Sequence, residues 1–459
     1  MTLYNPLDFG ALGDGRADDT AAVQAAIDAC SASGGGRVLL PAGKTFRAGS
    51  LVMKSHVEMH LEAGATLQAS PEPANYPRKL YAGALTGGAV DETHPGEILF
   101  ITGENAENIA FTGLGVIDGG GRFFVQEDLG YIYKMKPQRP FTFCLFGCRS
   151  VTFRDLTIRD GALWTVRLSG CDDILIDGIR IQNDLKLPNS DGIDLDRCRN
   201  ARVSNCHIVS GDDCIVLKTC QETAAWGDAC ENIVVSNCTL MSTSIALCVG
   251  VECRAPMRDI IFDSCVIKGS HRGVAVRLGE GSDIENVLFS NMVIETRRFH
   301  HAWWGSGEPI CVSAVPWDSE RGIGQVRNIR FVNLLCRSET GVYLEGWTPD
   351  RVQDVLFENV QIELARHSKW PGARYDRRPC PSDQGNDLEA GSLLQPTDGF
   401  CLCNAQNITL RHCEVRWGEN PAEEYRHALS SRGISGLKLE NFRGEAAFPK
   451  QYGSISIED

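Results

Sequence analysis

SVTFRDLTIRDGALWTVRLSGCDDILIDGIRI, residues 150–181, contains one phrase twice. In SVTFRDLTI and again in DILIDGIRI, apolar and polar residues alternate as in a half-buried strand, meet a polar corner and resume as a second short strand. Eight further segments repeat the pattern: NIAFTGLGVI, ARVSNCHIV, NIVVSNCTL, DIIFDSCVI, NVLFSNMVI, NIRFVNLLC, DVLFENVQI and NITLRHCEV. With Val151, Ile174, Ala201, Ile233, Ile260 and Val287 taken as equivalent, the steps are 23, 27, 32, 27 and 27 residues. A period in the twenties with three short strands per unit is a solenoid signature. Leucine-rich repeats have the same period but need leucines at fixed places and a helix in many units, and neither occurs. A parallel β-helix, whose coils stack about 4.8 Å apart, fits the pattern and makes the fold all-β.

An open solenoid end needs a cover. DDTAAVQAAIDACSASGGG supplies one: Asp18, Asp19 and Thr20 are placed to cap a helix with Val23, Ala26 and Ile27 on one face, and the glycines end it. Residues 1–70 are expected to form this cap and the first coils, and 99–445 the main coils. Segments rich in Trp, Pro, Gly and charge near 300–322 and 365–400 break the rhythm and are expected as large loops on one face. The 459 residues are read as a single β-helix domain, 1–459.

With 43% hydrophobic and 23% charged residues, the chain has the composition of a folded globular protein. No window is apolar enough for a membrane span, and the start MTLYNPLDFGALGDG lacks the basic and apolar parts of a secretion leader, so a cytoplasmic location is expected. The net charge of −14 argues against a nucleic-acid partner. Nineteen cysteines, many near repeat boundaries, form no compact disulfide framework, and Cys401 and Cys403 lack zinc-site partners. They are read as buried thiols stacked in an interior.

The stretch NSDGIDLDRCRNARVSNCHIVSGDDCIVLK, Asn189–Lys218, carries the candidate chemistry. Asp191 and Asp212 are 21 residues apart, about one coil, so their side chains are expected one above the other, with Asp213 adding a third carboxyl. Crowded carboxyls resist full ionisation, and one protonated acid beside an ionised base is what glycosidic cleavage requires. The competing reading is that Asp in a tight turn bonds its own backbone, as Asp18–Asp19 and Asp172–Asp173 suggest. Three in coil register favour the chemical reading.

NSDGIDLD and SGDDCIVLK resemble the NTDGID and GDDCIAI motifs of glycoside hydrolase family 28, the polygalacturonases. FGALGDGRADDTAAVQAAIDAC, GGGRVLLPAGKTF and LEAGATLQAS look like the cap and first coils of the pectin-lyase-like superfamily. GALWTVRLSGCDDILIDGIRI and WWGSGEPICVSAVP are also similar to bacterial family 28 members. The resemblance covers nearly the whole chain and implies a right-handed parallel β-helix. It implies Asp212 as the general acid, Asp191 and Asp213 as the pair that holds the attacking water, inversion at the anomeric carbon, an oligosaccharide substrate, and neither cofactor nor metal. Asn189 belongs to the same motif. By distance alone, carboxyls one coil apart look more like a retaining arrangement. The resemblance decides for inversion.

Two family residues are missing. The family's GHG histidine falls at Ser244, and its Arg-Ile-Lys motif appears as VRLGEG, which keeps Arg277 and has Gly279 in place of the lysine. That lysine and arginine are associated with the galacturonate carboxylate. Either the subsite takes a neutral or modified sugar, or another cation replaces the lysine. His207, Lys218, His271, Arg272, His300 and His301 are the candidates. Trp303 and Trp304 beside Glu308 are an expected sugar platform. The 32-residue coil carrying CQETAAWGDACEN and the two later insertions are expected to block one end of the groove, which favours release of a terminal sugar. A calcium-dependent polysaccharide lyase and a non-catalytic carbohydrate-binding β-helix are the alternatives.

Overall fold

The structure is a computed structural model that describes residues 2–77, 79–80, 97–317, 320, 322–382 and 387–458. Its contacts group into two compact units, one of residues 1–215 and 220–233, the other of 216–219 and 234–459. Both are stacks of parallel coils. In the first, Ile109, Val151, Ile174 and Ala201 pair in series. In the second, Ile260, Val287, Ile329, Val355 and Ile408 do the same. The residues equivalent in sequence therefore sit one above the next, and the fold is a right-handed parallel β-helix, as parallel crossovers favour.

The polar corners have a conformational cause. The residue before each apolar run lies in the left-handed region: Asn108, Ser150, Asp173, Asn200 and Asn232 in the first unit, and Asn286, Asn328, Asp354 and Asn407 in the second. Asn and Asp tolerate that conformation because their short polar side chains bond locally. Here they, and the asparagines at the second corner of each coil, also bond the preceding coil. Asn205 Nδ2 donates to Asp177 at 2.7 Å, and in the second unit Asn359 donates to Asn333 and Asn333 to Asn291 at 2.9 and 3.0 Å.

Inside the coils, the same apolar position recurs at the coil spacing. Phe262, Phe289, Phe331 and Phe357 stack with centroids 4.8, 5.2 and 5.0 Å apart. All nineteen cysteines are buried and none forms a disulfide. Cys148, Cys171 and Cys198 each donate to a carbonyl of the preceding coil, on Gly103, Leu145 and Leu168. Burial pushes the Cys144 thiol up to about 12, which removes the reactive thiolate at neutral pH.

The helix spans Thr20–Ala32 and buries Val23, Ala26, Ile27 and Cys30. The Asp18 carboxylate accepts the Thr20 N–H at 3.0 Å, whereas Asp19 turns away to accept from Leu12 and Gly13 and pins the preceding segment. No helix among the described residues is long and apolar enough to cross a membrane. Within 300–322 the chain is irregular to Pro309 and then forms the coil strand Ile310–Ala314; residues 318, 319 and 321 lie outside the described residues. Within 365–400 a small antiparallel pair, Arg374–Asp376 with Ser392–Leu394, forms; 383–386 lie outside the described residues.

Candidate active site

Asp191 precedes the strand Ile193–Asp196, and Asp212 and Asp213 precede the next coil's strand, Ile215–Thr219. Gly192 N–H donates to Asp213 O at 2.8 Å and Ile193 N–H to Cys214 O at 2.9 Å. The same one-residue offset relates Val166 N–H, which donates to Gly192 O, to its partner Ile193. Asp191 therefore faces Asp213, and Asp212 is displaced one residue along the bend. The spacing of 21 had suggested Asp212 opposite Asp191. The glycines permit the close approach: a Cβ on Gly192 would lie 2.4 Å from Cys214 O, and one on Gly211 2.3 Å from Leu187 O.

The three carboxylates gather at this bend, with one oxygen of each within 4.8 Å of the others. Asp191 and Asp212 are buried, and Asp213 is partly exposed. Asp212 is oriented by backbone donors: its Oδ2 accepts from Asn189 N–H at 3.3 Å and its Oδ1 from Asp213 N–H at 3.0 Å. Asn189 is exposed, and its side-chain oxygen accepts from Arg139 Nη2 at 2.8 Å. Arg139 lies outside every repeat segment, so no sequence pattern marks it.

In the same unit, the inserted segment after Cys220 is fastened over the ends of earlier coil strands. Asp196, buried, accepts from Cys220 N–H, from Thr223 Oγ1 and from the Arg167 guanidinium, each at 3.0 Å. Arg167 also donates to Glu222 at 2.7 Å and lies 4.7 Å from the ring of buried Trp164. Trp226 packs on Phe146 with centroids 5.5 Å apart, over Gly170, where a Cβ would lie 2.2 Å from Trp226 O.

The second unit places the other candidates. Lys218 is buried, with Nζ 3.7 Å from Glu252. Ser244 is buried; its N–H donates to Ser242 Oγ and its carbonyl accepts from Arg272 N–H. Arg277 pairs with Ser313 on the next coil and donates to the carbonyls of Arg377 and Arg378. A Cβ on Gly279 would lie 1.9 Å from Trp317 Nε1, so the indole of Trp317 occupies the space in which a lysine side chain would begin.

Glu308, expected on a sugar platform, has no exposed surface. Its carboxylate accepts from Arg272, also fully buried, at 3.2 and 3.3 Å and from Ser306 N–H at 2.7 Å. Trp303 and Trp304 are partly exposed. Trp303 O accepts from Arg378 at 2.9 Å, and the Arg378 guanidinium lies 4.8 Å from the Trp304 ring. Arg378 in turn pairs with buried Asp376 at 2.9 Å; burial pushes that carboxyl up, and Arg378 more than offsets it, holding it at about 2. The His301 ring lies 4.3 Å from His300 and 5.0 Å from Trp370, and its carbonyl accepts from Arg374. The two insertions of this unit thus pack together through arginine-to-carbonyl hydrogen bonds, a cation–π contact and ring contacts that sequence spacing does not reveal.

His271 is buried, with Nε2 donating to Gly305 O at 3.1 Å and Nδ1 accepting from Phe299 N–H at 3.4 Å, which is the neutral tautomer. Burial lowers its pKa from 6.5 to about 4. Because the folded value lies below the unfolded one, this neutral histidine stabilises the fold fully above pH 6.5, and that contribution is lost as the pH falls towards 4. Between pH 7 and 4.5 the wild type is expected to lose about 2–3 kcal/mol more than His271→Gln. Denaturant titrations at the two pH values measure the difference; equal losses would refute it.

A parallel β-helix with clustered carboxylates at one bend is compatible with a glycosidase, a lyase and a binding protein alike. Comparison with known proteins separates them. The profile of glycosyl hydrolases family 28 matches residues 30–370, and the chain belongs to that family; it is a glycosidase. It is 28% identical over 384 residues to a probable polygalacturonase of Vitis vinifera, covering 79% of this chain and 74% of the relative. An exo-poly-alpha-D-galacturonosidase of Dickeya chrysanthemi is 24% identical, covering 64% of this chain and 55% of the relative. Among solved structures, an exopolygalacturonase from Thermotoga maritima superposes with a TM-score of 0.67 at 23% identity, over 80% of this chain and 88% of that one.

Proposed function

We propose that the protein is an inverting, exo-acting glycoside hydrolase that releases a terminal sugar, galacturonate or a related or neutral residue, from pectin-derived oligosaccharides in the cytoplasm. Asp212 protonates the leaving glycosidic oxygen as the C–O bond breaks. Asp191 and Asp213 hold a water and take its proton as it attacks the anomeric carbon from the opposite face. The observation that carries this reading is the triad, with one oxygen of each aspartate within 4.8 Å of the others. Three carboxyls so close resist full ionisation, which leaves one proton to donate beside acceptors that activate water.

That spacing is below the ~6.5–9.5 Å of most inverting enzymes, so inversion rests on family membership. End-wise action is favoured by the clamped segment after Cys220, which covers the ends of the preceding coil strands, and by the exo-acting names among the relatives. The identity of the sugar stays broad because Trp317 stands in the lysine's place and Arg277 bonds backbone carbonyls.

The test is digestion of oligogalacturonate, rhamnogalacturonan fragments and neutral aryl glycosides, with chromatography and proton NMR of the fresh product. Stepwise release of a monosaccharide in the inverted anomeric form is expected. A retained anomer or mid-chain fragments would reject the mechanism or the mode. An ultraviolet-absorbing unsaturated product, lost on adding a chelator, would replace this reading with a lyase.

A further inference from the structure

We infer that Arg139 is a positioning residue for Asp212, acting through Asn189; this rests on the reading of Asp212 as the acid. Arg139 stands just before the strand Pro140–Phe146, two coils ahead of Asp191 and three ahead of Asp212 and Asp213. Its Nη1 donates to Ala162 O at 2.8 Å and Pro188 O at 2.6 Å, and its Nη2 to Asn189 Oδ1 at 2.8 Å. Ala162 lies on the bend before Leu163–Ser169, and Pro188 and Asn189 lie on the bend before Asp191. One planar guanidinium therefore ties two successive bends, a task suited to its fixed fork of donors.

Asn189 needs such a tie. It is exposed, sits outside any strand and holds φ at 53°, and its side-chain oxygen accepts from Arg139. In that conformation its N–H points at Asp212 Oδ2, 3.3 Å away, while Asp213 N–H takes the other oxygen. As Asp212 gives its proton to the leaving oxygen, negative charge appears on this carboxylate, and the two N–H groups are already aimed at it. Donors pre-aimed at developing charge lower the barrier. Without Arg139, Asn189 is free to turn its N–H away, and proton donation slows while sugar binding is kept.

The consequence is selective. A leaving group that departs without much protonation has little use for a well-placed acid. Arg139→Gln is expected to lower kcat on oligogalacturonate by about 10–100-fold, part of the range general acid catalysis contributes. On 2,4-dinitrophenyl α-galacturonide its kcat should fall less than about threefold, with KM nearly unchanged on both substrates, and Arg139→Lys should recover part of the loss. Equal losses on both substrates, or none on either, would overturn the inference. Asn189→Gly, which cuts the tie while leaving a residue that adopts the same φ, should show the same signature even if Arg139→Gln does not fold. If the wild type cleaves neither substrate, the oligosaccharide and dinitrophenyl glycoside of the sugar it does release take their place; if it releases no sugar from any of them, the reading of the reaction fails and the inference with it. If it cleaves both and the variants lose both equally, the inference alone fails.

Discussion

Asp212→Asn is expected to lower oligosaccharide hydrolysis by on the order of 10²–10⁴-fold with the fold intact. The amide has almost the same shape and keeps an oxygen for one of the two backbone N–H donors, on Asn189 and Asp213, that orient the carboxylate. It has no acidic proton to give. The amide is as neutral as the protonated acid it replaces, so the cluster of three side chains, whose nearest oxygens lie within 4.8 Å, gains no charge and loses at most one hydrogen bond. Rates on the oligosaccharide, thermal melting and sugar titration by calorimetry check the three parts separately. A wild type with no rate to lose, and equal sugar binding by both proteins, would show instead a binding β-helix without catalysis.

Glu308→Ala is expected to cost the second unit about 3–5 kcal/mol, because it strands a fully buried guanidinium. Arg272 and Glu308 both have 0% side-chain exposure, and Arg272 retains only a long bond, 3.3 Å, to Asp376 O once the carboxylate is gone. Arg272→Met combined with Glu308→Leu should recover most of that loss, since apolar groups of similar volume replace a buried pair with little penalty. Denaturant unfolding followed by tryptophan fluorescence reads both, with Trp303 and Trp304 nearby as reporters. A loss below about 1 kcal/mol in the single variant would mean that Arg272 has another partner after rearrangement.

The coil architecture was legible because burial acts on every second residue of a strand. Val151, Ile174 and Ala201 face one interior, so their recurrence in sequence and their pairing in space are the same fact. The corners were legible for a related reason: few residues besides Asn, Asp and Gly tolerate left-handed backbone, so Asn200, Asn286 and Asn328 mark corners in either representation. The aspartate cluster was visible as residue types at about one coil's separation.

Its register was not. A bend has no period, and the path from Asp191 to Asp213 depends on how closely Gly192 and Gly211 let the coils approach. The insertions were still less readable, since nothing in the spacing of Glu308, His271 or Trp317 tells that they turn inward onto Arg272, Gly305 and Gly279.

The sequence by itself determined the parallel β-helix, its helical cap and the three aspartates at successive bends, because those follow from local backbone preference and from burial at fixed periods. Only the tertiary structure decided that Asp213 is the residue facing Asp191, that Arg139 holds the bend at Asn189, and that Trp317 fills the space beside Gly279. Those contacts join residues tens of positions apart across irregular segments, where side-chain volume and hydrogen-bond geometry, and no repeat, choose the partner.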